Sequence, residues 1–297
     1  MTAKWFGVFT VTALLILYPA FAQGMLAVAT QAKDLTFPTD PSPGPADGSR
    51  MTLLKPSGPG PFPAIVLHHQ CAGLRTKGGS NRSMGAWAQA GVKQGFVVLL
   101  IDSLSARGVD LVCLGPKNGV NFPRGVRDAM QAAAHLRTLS FVDKQRVAHV
   151  GFSWGAMVAL LSSNKTWRSV LPGGEAFTAA VAVYPGCFTI KPQRGPEYEI
   201  VQNHIDRPVL VLMGDKDTET PSDECVSKLK AAKKVGAPVE WHVFQNATHC
   251  WDCDHLNGFS KKDFRGTNVF YRYDPVATRE TKRRIFEFLA RTGVARQ

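Results

Sequence analysis

Short uninterrupted apolar runs alternate along the chain with longer stretches in which apolar residues recur every three or four positions. Ala64–His68 (AIVLH), Phe96–Ile101 (FVVLLI), Arg146–Val150 (RVAHV), Ala179–Tyr184, Pro208–Met213 and Val239–Phe244 are the short runs. They lack the in-out alternation of a half-exposed strand, which predicts strands buried on both faces. Between them, helices are predicted near Ser80–Gln94, over Val126–Leu136 with Val126, Met130, Ala133 and Leu136 at helical spacing, and over Ala156–Ser163. A further helix starts at Thr220-Pro221-Ser-Asp223, with Thr220 as N-cap, Pro221 at N1 and an acidic residue at N3. The last helix, Ala277–Arg291, puts Ala277, Thr281, Ile285, Phe288 and Leu289 on one face. Continuous apolar strands alternating with amphipathic helices predict an α/β fold, a mainly parallel sheet covered on both sides.

The two ends of the chain differ from this pattern. Residues 38–63 are dense in Pro and Gly, with one strand-like piece at Met51–Leu54, so residues 23–60 read as a segment of edge strands or a hairpin. Residues 61–297 show neither a linker nor a repeat and read as one domain. At the N-terminus, one Lys within Met1–Trp5 precedes an uncharged stretch from Phe6, and Ala20-Phe21-Ala22 puts small residues where a signal peptidase cuts. This predicts a cleaved signal peptide over 1–22, a chain starting near Gln23 and an exported protein, periplasmic or secreted. The apolar run is shorter than the ~20 residues of a spanning helix, and no later stretch supports an integral membrane segment.

Composition narrows the classes further. Apolar residues are 44% and charged residues 20%, enough to build a core and too few charges for a disordered chain. The charge of +12, from 35 basic against 23 acidic residues, is spread along the chain; no basic block points to nucleic acid. Six cysteines in an exported chain suggest disulfides, for which 15 pairings exist. Cys250 and Cys253 are close enough to pair with each other, leaving four to form two longer-range bridges. The segment from His249 to His255 contains zinc-like residue types, but it is a single cluster, and an oxidising compartment disfavours free thiolates. Asp254 stands where haem attachment needs a His. Neither metal nor cofactor is expected.

The chemistry sits at strand ends. Gly151-Phe-Ser153-Trp-Gly155 follows the strand RVAHV and precedes a helix. Bare G-x-S-x-G is a weak signal; in a strand–turn–helix context the glycines permit a tight turn that projects the Ser153 hydroxyl, and the helix N-terminus brings the Trp154 N–H beside a developing oxyanion. A serine nucleophile needs a base and an orienting carboxylate, in the chain order Ser, acid, His. The loop after Pro208–Met213 holds Asp215 and Asp217, and the loop after Val239–Phe244 holds His249. Asp217 is preferred over Asp215 because a Gly followed three residues later by Asp is the usual layout; His249 is preferred over the other histidines for its strand-end position.

The loop His69-Gln-Cys71-Ala-Gly73-Leu, the elbow GFSWGA, the loop GDKDTETP and the segment NATHCW together resemble the dienelactone hydrolase family of α/β-hydrolases, from about Pro61 to the C-terminus. The resemblance implies a sheet of about seven to eight strands, Ser153, Asp217 and His249 as the triad, and an oxyanion hole formed by the N–H groups of Trp154 and Cys71. It places Gln70 where the namesake enzymes carry a Glu, and Ser153 where they carry a Cys. Arg107 lies near their Arg for a substrate carboxylate, so Gln70 and Arg107 are the substrate-binding candidates. Exported relatives imply the pairs Cys71–Cys113, Cys187–Cys225 and Cys250–Cys253.

The function this implies is a serine hydrolase of small-molecule carboxylic esters, with lactones as a variant, acting through an acyl-enzyme. A peptidase on the same fold, a non-catalytic exported binding protein and a binder of anionic envelope surfaces stay open at this point. The oligomeric state, acyl preference and alcohol preference are not written in the sequence. The segment Cys250–Tyr273, long, aromatic and next to His249, is expected to shape the pocket.

Overall fold

The computed structural model describes residues 21, 23–76, 79–193, 196–263 and 265–295. The signal-peptide expectation falls outside them, apart from Phe21. Seven strands form one sheet: β1 (Thr52–Leu54), β2 (Phe62–His68), β3 (Val97–Ile101), β4 (Val142–Phe152), β5 (Ala180–Val183), β6 (Val209–Gly214) and β7 (Val239–Phe244). Their spatial order is β1-β3-β2-β4-β5-β6-β7. Only β1 runs antiparallel in this sheet, paired with β3, and it occupies the edge position that its Pro-rich surroundings favour. The other pairings are parallel, and β4 extends well beyond the five residues predicted for it.

Each strand feeds two cores. Ala64 and Val66 of β2, Val97, Leu99 and Ile101 of β3, and Val209, Val211 and Met213 of β6 point to one face. Ile65 and Leu67, Val98 and Leu100, and Leu210 and Leu212 point to the other. Burial of both rows is why these strands read as unbroken apolar runs. The first face is covered by a helix over residues 23–29 (α1), α3 (Phe122–Leu136), α4 (Trp154–Ser162) and α5 (Ser222–Lys234). The second is covered by α2 (Arg82–Lys93) and α6 (Pro275–Arg291). Among the described residues no helix is long and apolar enough to cross a membrane.

Two local expectations are corrected. Residues 23–60 hold the expected edge strand, β1, but open on a helix, α1, that the Pro/Gly-rich reading did not include; Met25 and Ala29 are buried in the first core. Helix α5 starts one residue late: its N-cap is Pro221, and the Thr220 side chain is engaged elsewhere. The pairs Cys71–Cys113, Cys187–Cys225 and Cys250–Cys253 are all bonded, the pairing the resemblance implied.

Register aligns the strand ends. His68 pairs with both Ile101 and Gly151, Phe152 with Val183, Val183 with Leu212, and Gly214 with Phe244. Residues 69–73, 102–107, 153, 184, 215–220 and 245–249 therefore leave the sheet along one edge, the carboxyl end where such folds hold their ligands.

Candidate active site

At the end of β4, Ser153 adopts φ 51° and ψ −111°, a conformation strained for a residue with a side chain. Such strain costs of order 1–3 kcal/mol and persists only where the surroundings enforce it. The enforcement here is steric. A Cβ on Gly151 would lie 2.0 Å from the Gly155 carbonyl oxygen, and one on Gly155 would lie 2.5 Å from His68 O and 2.7 Å from His69 O. Only glycine permits that approach. The Ser153 N–H donates to Val183 O at 2.9 Å, and the Gly155 N–H to His69 O at 3.2 Å. The turn is thus pinned to both neighbouring strands.

Ser153 Oγ lies 3.1 Å from His249 Nε2, and His249 Nδ1 lies 2.7 Å from Asp217 Oδ2. All three residues are almost wholly buried. Asp217 also accepts the backbone N–H groups of Glu219 (2.9 Å) and Thr220 (2.8 Å) and the Thr220 hydroxyl (2.8 Å). Those donors fix its carboxylate plane and leave one lone pair for the imidazole, which sets the Nδ1–H tautomer. Asp215 is exposed and instead accepts the Asn246 N–H at 2.6 Å, bridging two loops. Burial disfavours charge on His249, yet Asp217 and Glu219 outweigh it and hold its pKa above the ordinary imidazole value.

The loop after β2 is held just as firmly. The Ser103 N–H donates to His69 Nε2 at 3.1 Å, so the ring proton sits on Nδ1 and is donated to Gln70 O at 2.6 Å. Gly73 N–H donates to the same oxygen at 3.0 Å. In a trans peptide N–H and C=O point in opposite directions, so fixing Gln70 O also fixes the Cys71 N–H. Burial keeps the His69 pKa below its ordinary value, which preserves this tautomer at neutral pH. The Cys71–Cys113 bond secures the loop from the other side. Trp154 opens α4, where a first-turn N–H has no intrahelical acceptor, and its indole stacks on His69 at 6.0 Å.

The two substrate-binding candidates have other partners. Arg107 is buried, and its five N–H donors are all spent, on Asp128 Oδ1 and Oδ2 (2.8 and 2.7 Å), Ser103 O and Lys33 O. None is left for a substrate carboxylate, which corrects the expectation from its position in sequence. Gln70 is turned inward as well: it accepts from Asn81 Nδ2 at 2.7 Å and donates to the Tyr184 hydroxyl at 3.2 Å. Tyr184 donates to Asp252 at 2.8 Å, and Trp87 Nε1 donates to the same carboxylate at 2.6 Å. This buried chain ties the loop after β2 to the His249 loop.

Among the described residues, Cys250, Asp252 and Cys253 have atoms close enough to share a metal. The two sulfurs are bonded to each other and the carboxylate is taken by Trp87 and Tyr184, so the donor set suits a structural role.

Three residues escaped the sequence reading. Thr220 resembled a helix cap but serves Asp217. Tyr184, buried with φ 44°, packs its ring 4.7 Å from His249. Glu219 brings a second carboxylate to the imidazole, with Oε2 4.0 Å from Nε2. Its place two residues after Asp217 was the available signal.

Residues 50–293 match the model of the dienelactone hydrolase family. A candidate carboxymethylenebutenolidase of Yersinia pestis is 28% identical over 123 residues, 41% of this chain and 43% of that protein. One of Salmonella typhimurium is 25% identical over 118 residues, 39% of this chain and 41% of its own length. The alignments thus span less than half of these curated relatives. Among solved structures, esterase 2 of Thermogutta terrifontis phosphorylated by paraoxon superposes with a TM-score of 0.60 at 17% identity, covering 86% of this chain and 95% of that one. A candidate dienelactone hydrolase of Klebsiella pneumoniae gives 0.59 at 17% identity, covering 83% and 97%. At these identities the likeness speaks to the fold.

Proposed function

The chain belongs to the dienelactone hydrolase family and has its α/β-hydrolase fold, and from that premise we propose that it is a serine hydrolase of carboxylic esters with Ser153, His249 and Asp217 as triad. The observation that carries the reading is the unbroken hydrogen-bonded path Asp217–His249–Ser153 ending on a strained elbow. His249 Nε2 takes the Ser153 proton as Oγ attacks the ester carbonyl, and the charge left on the ring is balanced by Asp217. The oxyanion forms between the N–H groups of Trp154 and Cys71, each worth roughly 3–4 kcal/mol to the barrier. The imidazolium then protonates the departing alcohol oxygen, and water, deprotonated by the same nitrogen, releases the acid. Relatives named for carboxymethylenebutenolide and an esterase that paraoxon phosphorylates both favour this chemistry.

Treatment of the oxidised protein with a fluorophosphonate probe should label Ser153, located by mass spectrometry, and p-nitrophenyl esters should be hydrolysed. Ser153→Ala should lose both, with turnover falling about 10⁵-fold or more. Full turnover by that variant would sink the proposal. The three disulfides support an oxidising compartment outside the cytosol, and N-terminal sequencing of the purified protein should read from Gln23.

A further inference from the structure

His249 has a carboxylate on each side. Asp217 holds Nδ1, while Glu219 faces Nε2, the nitrogen that also contacts Ser153 Oγ. Glu219 is 9% exposed and rigidly placed: Oε2 accepts the Tyr271 hydroxyl at 2.6 Å and Oε1 accepts Lys261 Nζ at 2.7 Å. Both partners come from the excursion after His249, in which Ser260–Lys262 pairs with Asn268–Phe270. Burial opposes its charge, but His249, Lys261 and Tyr271 hold its pKa below the ordinary glutamate value, so it is ionised at neutral pH.

In the reading above, Nε2 must hand its proton to the alcohol oxygen as the ester breaks. That oxygen comes within hydrogen-bond distance of Nε2, which puts the alcohol half, not the acyl half, beside Glu219. We propose that Glu219 sets the alcohol specificity of the site, favouring esters whose alcohol half is cationic or uncharged and rejecting those whose alcohol half bears a carboxylate. Two positive groups bear on the balance. Lys261 pairs with the outward oxygen and is itself a quarter exposed, and its effect on His249 is weaker than that of Glu219. Arg265 donates to the Glu219 backbone carbonyl, but its charge is met by Asp263 and Glu224. The field that reaches Nε2 is therefore negative. Arg107, whose donors all go to Asp128, Ser103 O and Lys33 O, does not offset it.

This inference rests on the esterase reading, and the test separates the two. Three butyrate esters share one acyl group and differ only in the alcohol: choline, its carbon isostere with tert-butyl in place of trimethylammonium, and that isostere with a carboxylate replacing one methyl. The wild-type protein should show kcat/KM about tenfold higher for the choline ester than for the isostere, and about tenfold lower for the carboxylate. Glu219→Gln should collapse both ratios toward one, and Lys261→Met should widen them. A structural role for Glu219 would lower all three rates together and leave the ratios in place. Ratios unmoved by both variants, with Ser153 still labelled by fluorophosphonate, overturn the inference and spare the esterase reading. Absence of both turnover and labelling overturns the esterase reading and this inference with it.

Discussion

Two buried clusters of charge in this protein are built to opposite ends. In one, Arg107 and Arg124 converge on Asp128, and Arg124 also reaches Asp34, Gln131 and the carbonyls of Ala29 and Ala32. Every donor of Arg107 is consumed, and the cluster clamps the C-terminal end of α1, where cations belong. In the other, Asp217 is equally saturated, but saturation stops at His249. Among the described residues, the polar groups that Nε2 faces are the Ser153 hydroxyl and, at longer range, Glu219. Buried charge does not distinguish structure from chemistry here; uncommitted valence at the end of a rigid chain does.

Substitutions should separate the clusters, beginning with the largest effect. Asp217→Asn should lower kcat roughly 10⁴-fold through loss of the productive tautomer, with a thermal melt close to the wild type. A fall of only a few-fold would erase the distinction. Asp128→Ala leaves the buried Arg107 without a carboxylate and Arg124 with Asp34 alone, and should cost about 3–5 kcal/mol in urea unfolding, while activity per fluorophosphonate-titrated site stays unchanged. A loss of activity per site would return Arg107 to the binding pocket.

Acid should expose a third population of buried titratable groups. His68, His69 and His149 are pushed below the ordinary imidazole pKa by burial, His149 to about 3. The unfolded chain then binds more protons than the fold below about pH 6.5, so stability should decline on acidification, by up to ~1.4 kcal/mol per pH unit for each histidine. Unfolding in urea at pH 7 and pH 5 measures it; equal stabilities would mean these rings are protonated in the fold. His249 runs the other way. Its raised pKa places the acid limb of kcat/KM above the ordinary imidazole value, and Glu219→Gln should move that limb to lower pH by removing a charge that favours the imidazolium.

The strands and the proposed triad were legible because each has a local signature: a double-faced apolar run, a G-x-S-x-G turn, a His or Asp just past a strand. What was illegible depends on long-range pairing. Arg107 was read from its position, and only the fold reveals Asp128 on α3 and the Lys33 carbonyl as its partners. Thr220 has the look of a cap, since a threonine before a proline and an acidic turn usually is one, but β6 and β7 bring Asp217 and His249 within reach of its hydroxyl. Helix α1 sits where the apolar leader pattern runs out, and its helicity is secured by burial and by the Arg124 clamp, neither of which the local residues announce. The pairing of Lys261 and Tyr271 with Glu219 needed the fold of the whole excursion 254–273.

The contact of Gly155 with the carbonyls of His68 and His69 has a consequence for how this site can change. The elbow and the loop after β2 are fitted face to face without clearance, so neither can drift without dragging the other, and any variation in one must be matched in its counterpart at the same step. In the excursion that carries Lys261 and Tyr271, Tyr271 and Val269 are buried, but a Cβ on Gly258 or Gly266 would meet nothing within 4 Å. Diversification toward new esters, by selection or in the laboratory, has its room at those turns, which can be altered without moving the elbow.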